Sequence, residues 1–266
     1  MVNKSVIMKR ISFLILQILL FTSCEELIEY SPYSTYVKEE LINSRECEKI
    51  RNNCVSDIDT LKFAVISDVH DDYDNMSDAL FSISNQDDIK FIICNGDITN
   101  FGLAKEFEWY SDIVNQSAIP LITLIGNHDY RSNGLQIFER LFGPVNTSFE
   151  AGNYHFILFS NVILENNNMS PKYEWLIDEI SDSSKYHIVV THVPPFSGEM
   201  EGIDNLAFRQ IVNPENTILC LHGHVSYFDD SYYNGIHTVI TNKIFNREYS
   251  IISLVGDKSF VKRVNF

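Results

Sequence analysis

Thiols are few in this 266-residue chain: there are five cysteines, and no two of them form a Cys-x-x-Cys pair. A thiolate-rich structural zinc site is therefore not indicated. Cys94 and Cys220 sit inside apolar runs and read as inert core residues, while Cys47 and Cys54 lie close together in a polar segment. In an exported protein a disulfide between those two stays open. Basic residues are also scarce, 20 Lys and Arg against 36 Asp and Glu, for a net charge of −16. Such a chain repels nucleic-acid phosphates, so no nucleic acid is expected as a partner. Any phosphate it does bind must be attracted locally, and bound cations are the obvious source of positive charge. No apolar run reaches bilayer length, and Ile11 to Phe21 is too short to span one. Internal repeats and low-complexity tracts are absent too. What the chain does have is 45% hydrophobic content, ample for a sizeable core.

It also has five apolar runs that each stop at ligand-type side chains. Leu121–Ile125 is a short β-rich run halted by Gly126, and Asn127, His128 and Asp129 follow at once. The run from Leu61 ends in Asp68 and His70, spaced i, i+2, and the run from Phe91 ends in Gly96 and Asp97. The run from Tyr186 ends in His192, and the run from Thr217 ends in His222, Gly223 and His224. Open α/β sheets bind ligands outside the carboxyl ends of their strands, so this placement suits a site. Chance supplies one or two such endings, not five in order.

Between the runs the spacing predicts helices over Asn75–Gln86, Leu103–Gln116, Gly134–Phe142 and Pro171–Ile180. Such alternation implies βαβ units with helices covering the sheet faces. Thr147–Glu150 and Tyr154–Asn161 read as a hairpin around Ala151, Gly152 and Asn153. The runs Ile236–Thr241, Tyr249–Val255 and Ser259–Val264 read as antiparallel strands. His155, His187 and His237 fall in strand-like runs and read as sheet residues. The order predicts an α/β protein of two packed mixed β-sheets flanked by helices.

The series Asp-x-His, Gly-Asp, Gly-Asn-His-Asp, lone His and Gly-His-x resembles the calcineurin-like metallophosphoesterases over roughly Leu61 to Ile244. The resemblance implies the αββα sandwich of that family and a dinuclear site of two divalent metal ions (Mn, Fe, Zn or Mg) that activate water as the nucleophile. It implies Asp68 and His70 on the first metal, Asp97 bridging both, and Asn127, His192 and His224 completing the second. It implies His128 as a proton donor to the leaving oxygen, and Asp129 could orient that ring. The substrate would be a small phosphorylated molecule, a phosphate mono- or diester.

The last block departs from the pattern, because Ser226 stands where the family has its final His. A hydroxyl is a weaker and shorter ligand, so the first metal would keep Asp68, His70, Asp97 and water, which is the favoured reading, or would recruit His222, or the site would hold only one metal tightly. The alternative reading is a non-catalytic, lipid-anchored binding protein with a degraded metal site. The intact His128 and Asp129 argue for the enzyme, since binding alone needs no proton donor.

The N-terminus reads as a targeting segment. Lys4, Lys9 and Arg10 precede the apolar run, and Phe21, Thr22 and Ser23 lead into Cys24 in a way that resembles a lipobox. The resemblance implies a bacterial lipoprotein with residues 1–23 as signal peptide, acylated on Cys24 and anchored in the cell envelope, periplasmic or on the outer surface. Residues 24–60 read as a tether and irregular extension, and residues 61–266 as the metallophosphoesterase domain.

Overall fold

Runs rich in Val, Ile, Phe and Leu form the parallel centres of two sheets in a computed structural model. The structure describes residues 31, 33–54, 60–182, 184–200, 202–215 and 217–266, and the fold is the unit Thr35–Phe266. The signal segment 1–23 and Cys24 lie outside the described residues.

In the first sheet, β1 (Leu61–Ile66), β2 (Ile92–Cys94) and β3 (Leu121–Thr123) run parallel. Helices α2 (Tyr73–Ser84) and α3 (Ala104–Gln116) make the crossovers that parallel pairing requires. The hairpin of β10 (Glu248–Val255) and β11 (Lys258–Asn265) adds antiparallel to β1, giving the order β11-β10-β1-β2-β3. The second sheet holds β4 (Thr147–Ala151), β5 (Tyr154–Leu158), β6 (Tyr186–Val190), β7 (Thr217–His222), β8 (Asp229–Tyr233) and β9 (Ile236–Ile240) in the order β4-β5-β6-β7-β9-β8. The two sheets are mixed and flanked by helices, as the sequence predicts. Ile236–Ile240 corrects one detail, because it runs parallel to β7 and is antiparallel only to the polar edge strand β8.

The sheets meet over Phe63, Phe91, Phe149 and Phe156, all buried. Phe63 stacks on Phe91 with centroids 5.0 Å apart, Phe149 stacks on Phe156 at 4.9 Å, and the pairs meet edge to face at 5.2 Å. A second cluster packs α2, α3 and α4 (Gly134–Leu141) onto the first sheet. A third packs α5 (Tyr173–Ile180) and α6 (Gly202–Ile211) onto the second.

The extension expected before the first strand is more ordered than its polar sequence suggests. Ile42–Asn53 is a helix, α1, and its Ile42, Cys47 and Ile50 are buried in the core. Asn43 acts as an extra rung on β3: its Nδ2 donates to Thr123 O at 2.8 Å, and Thr123 N donates to its Oδ1 at 3.0 Å. The edge of the first sheet is thereby closed. Cys47 and Cys54 are both free. Seven residues along a helix is about 10 Å of rise, beyond the reach of a disulfide.

Candidate active site

All five polar endings come together at one edge, where the loops after β1, β2, β3, β6 and β7 interlock. His70 N donates to Asp97 O at 2.8 Å, Asp68 N to Gly96 O at 3.1 Å, and Gly223 N to His192 O at 3.0 Å. These bonds hold Asp68, His70, Asp97 and His224 in the left-handed region, with φ of 50, 51, 54 and 69°. A side-chain-bearing residue there costs roughly 1–2 kcal/mol, so the loops carry strain where the ligand-type groups converge. Gly96 is required by crowding: a Cβ on it would lie 2.9 Å from His192 Nδ1 and 2.8 Å from Gly126 N.

Hydrogen-bond chemistry fixes what each side chain points inward. His192 Nδ1 lies 2.6 Å from Asn95 O, a pure acceptor, so that nitrogen carries the proton. Its Nε2 then turns toward Asp97 Oδ2 and Asn127 Oδ1, each 3.2 Å away. Asn127 Nδ2 donates to Glu165 Oε1 at 2.8 Å, which assigns Oδ1 to the inside. His224 Nε2 lies 3.1 Å from Glu199 Oε1, so its Nδ1, 3.1 Å from Asn127 Oδ1, is a lone pair as well. The inward atoms of Asp97, Asn127, His192 and His224 therefore converge, each of a type that can ligate a cation. Residues of this kind fit a divalent cation, and the mixed N and O set matches the expectation for the second metal. Burial opposes a charge on His192, but Asp97 and Asp68 carry its pKa up to about 10. Burial likewise opposes ionisation of Asp97, yet His192, His128 and His70 hold it down at about 2.

The first position is looser. His70 Nε2 stands 3.9 Å from Asp97 Oδ2, and its Nδ1 lies 3.4 Å from Thr99 O. Asp68 accepts from Ser67 Oγ at 2.5 Å and from His224 N at 2.9 Å, and it belongs to neither of the two tight groups of ligand atoms, His70–Asp97–His128 and Asp97–His192–His224. Ser226 is exposed. His222 does not replace it. Its Nδ1 bonds Thr191 Oγ1 at 2.7 Å, and its ring lines a cavity of about 10 Å³ with Cys220, Phe208 and Tyr233, under α6.

His128 is close to His70, with ring centroids 4.6 Å apart, yet both of its nitrogens are engaged elsewhere. Nδ1 lies 3.0 Å from Asn100 O, and Nε2 lies 3.2 Å from Nη2 of Arg131. Guanidinium only donates, so Nε2 is an acceptor and the ring is neutral. Burial, with His70 and Arg131, lowers its pKa. Asp129 does not orient this ring, contrary to the sequence expectation. Its carboxylate is fully buried and accepts from Ile98 N at 3.3 Å, Thr99 N at 2.9 Å, Thr99 Oγ1 at 2.8 Å and Gly126 N at 2.9 Å. It knits the loops after β2 and β3 together, and Asn100 O is what aims His128.

Sequence reasoning missed Arg131, Glu165 and Glu199. Arg131 had a readable signal: it follows His128 by three residues in the tight turn His128–Tyr130, where i and i+3 eclipse. Glu165 and Glu199 had none, since each sits in a polar loop far along the chain from its partner.

A two-sheet sandwich that gathers acceptor atoms around a cation-shaped centre at its strand ends is the architecture of a metal-dependent hydrolase. This chain belongs to the calcineurin-like phosphoesterases, whose family model matches residues 61–238. Over 64 residues it is 30% identical to a probable cyclic nucleotide phosphodiesterase of Xenorhabdus bovienii, an alignment covering 24% of this chain and 26% of that one. The match thus spans about a quarter of that relative's length. Among solved structures, a dimetal phosphatase from Danio rerio shares the fold with a TM-score of 0.58 at 13% identity, over 77% of this chain and 97% of that one. GAP50, the anchor in the inner membrane complex of Plasmodium, does so with 0.57 at 12% identity, over 78% and 85%.

Proposed function

We propose that the protein hydrolyses small phosphate mono- or diesters at the bacterial cell envelope, using two divalent cations. The observation that carries the reading is the convergence of four ligand-type atoms, on Asp97, Asn127, His192 and His224. Asp68, His70 and Asp97 would hold the first cation, and Asp97, Asn127, His192 and His224 the second. When bound, such a pair neutralises phosphoryl oxygens and lowers the pKa of water that attacks phosphorus.

The chain's own residues supply the rest. Asp97 would offer a carboxylate to both cations. Asn127 ligates without adding negative charge, which suits an anionic substrate in a chain of net charge −16. Arg131 is a cation beside His128 and is placed to meet a phosphoryl oxygen. If it turned to that oxygen it would release His128 Nε2, which could then take up a proton from water and pass it to the leaving oxygen. Asp129 and Glu106 hold the loop that carries Asn100, Glu106 by accepting from the backbone N–H of Asn100 and Leu103 at 3.1 and 2.9 Å. The envelope location rests on the N-terminal basic residues, the short apolar run and Cys24.

The test is metal analysis of the purified protein together with turnover of aryl phosphate mono- and diesters. Metal-dependent release of the phenol supports the reading. A protein that retains metal but turns over neither class would return the binding-protein alternative.

A further inference from the structure

The two cation positions are not supported alike. Behind the second stand two carboxylates that belong to none of the sequence motifs. Glu165, in the loop after β5, accepts from Asn127 Nδ2 at 2.8 Å. Glu199, in the loop between β6 and α6, lies 3.1 Å from His224 Nε2. A carboxylate can only accept, so each one dictates which atom of its partner faces inward. An amide with no such partner can rotate by half a turn and present NH2, a donor that repels a cation. An imidazole with no such partner can place its proton on Nδ1 and lose the lone pair.

A second observation points the same way. Glu165 Oε2 is buried and has no hydrogen-bond partner. A buried carboxylate oxygen without a donor is costly unless positive charge lies near, and a cation held by Asn127 would supply that charge. At the first position the partners among the described residues are not carboxylates: His70 Nδ1 faces the neutral carbonyl of Thr99, at 3.4 Å, and Asp68 accepts from the Ser67 hydroxyl.

We propose that Glu165 and Glu199 are positioning residues that make the Asp97–Asn127–His192–His224 position the tight one, so that one cation is resident and the other exchanges. The inference rests on the dinuclear reading above, and the experiment separates the two. Chelator-stripped Glu165→Ala, Glu165→Gln, Glu199→Ala and Asp97→Asn proteins are titrated with Mn2+ by calorimetry. Each is also dialysed and its metal counted, and each metal-free form is melted.

The Ala variants should weaken the tighter binding step by roughly 10–100-fold, the range typical of partners behind metal ligands, and leave the weaker step in place. Their metal-free melting should match wild type. Glu165→Gln still offers an oxygen to Asn127 Nδ2 and should recover most of the lost affinity. In an Asn127→Asp background the donor is gone and Glu165 meets a like charge, so Glu165→Ala should there strengthen binding. A merely structural role would not produce that reversal.

Wild-type tight binding in both Ala variants would overturn the proposal, as would equal losses in the metal-free melting. Asp97→Asn guards the premise: wild-type metal binding there would mean the dinuclear reading itself has failed. Loss in Asp97→Asn without loss in the Ala variants would sink the positioning roles alone.

Discussion

At Ser226 the chain offers an exposed hydroxyl where the family places an imidazole. His222 is the nearest histidine in sequence, but it points under α6 and bonds Thr191. Ser226→His should therefore lower the metal concentration needed for half-maximal activity, by at least about 10-fold, and leave closer to two metals after dialysis. No change in either quantity would mean that the first position is complete by another route or absent. His128 is the second residue to test. Both its nitrogens are occupied by Asn100 and Arg131, so His128→Ala should leave metal content unchanged. Turnover should fall by roughly 10²–10⁴-fold, most for poor leaving groups and least for nitrophenolate, which needs no proton. A uniform loss across leaving groups would assign the ring to charge stabilisation instead. The convergent residues were legible because each sits within four positions of the end of an apolar strand run. Asp129 was legible as a site residue but not as a loop clasp, since its partners Thr99 and Gly126 lie in different loops. Glu165 was illegible because a carboxylate 38 residues from Asn127 leaves no local pattern.

At the level of elements, the parallel strands and their crossovers were readable from apolar runs and helical spacing. Helix α1 was not, because its sequence is polar and its one structural task is to meet an edge 80 residues away. Asn43→Ala should uncover both Thr123 backbone groups in a buried setting and cost about 1–3 kcal/mol, read from urea unfolding. A loss within experimental error would show that the edge finds another partner. Strands β5 and β6 give a pH prediction, because they place His155 beside His187, with ring centroids 5.4 Å apart. His187 is only 1% exposed; it donates from Nε2 to Asp182 O at 2.7 Å and leaves Nδ1 without a partner. Burial and then His155 push its pKa down from 6.5 to about 4. Between those values the unfolded chain takes up a proton that the folded one refuses. The stability is thus whole above about pH 6.5 and is lost as pH falls toward 4. His187→Gln keeps a donor for Asp182 and removes the titration. The drop in unfolding free energy from about pH 7.5 to about pH 4.5 should shrink by roughly 2 kcal/mol in the variant. An unchanged drop would show that other groups carry the acid sensitivity.

Over the whole molecule the charge is wrong for a phosphate enzyme and right only at one place. A chain of net charge −16 repels anions at long range, so capture must depend on cations at the strand ends and on Arg131 beside them. Screening by salt should therefore help the encounter with an anionic substrate rather than hinder it. Confinement at a surface would raise the local concentration of substrates released there and offset part of that repulsion. The proposed anchor would provide such confinement, through a segment in which Lys4, Lys9 and Arg10 precede Ile11–Phe21 and Cys24 follows Ser23. If Cys24 is acylated, the chain should partition with membranes in its native host, and detergent should release it. Cys24→Ala should accumulate as a precursor that keeps residues 1–23, seen as a larger species by mass spectrometry, with its metal content and turnover unchanged in the purified form. A wild-type chain found soluble in the cytoplasm with residues 1–23 still attached would end the envelope assignment and leave the site chemistry standing.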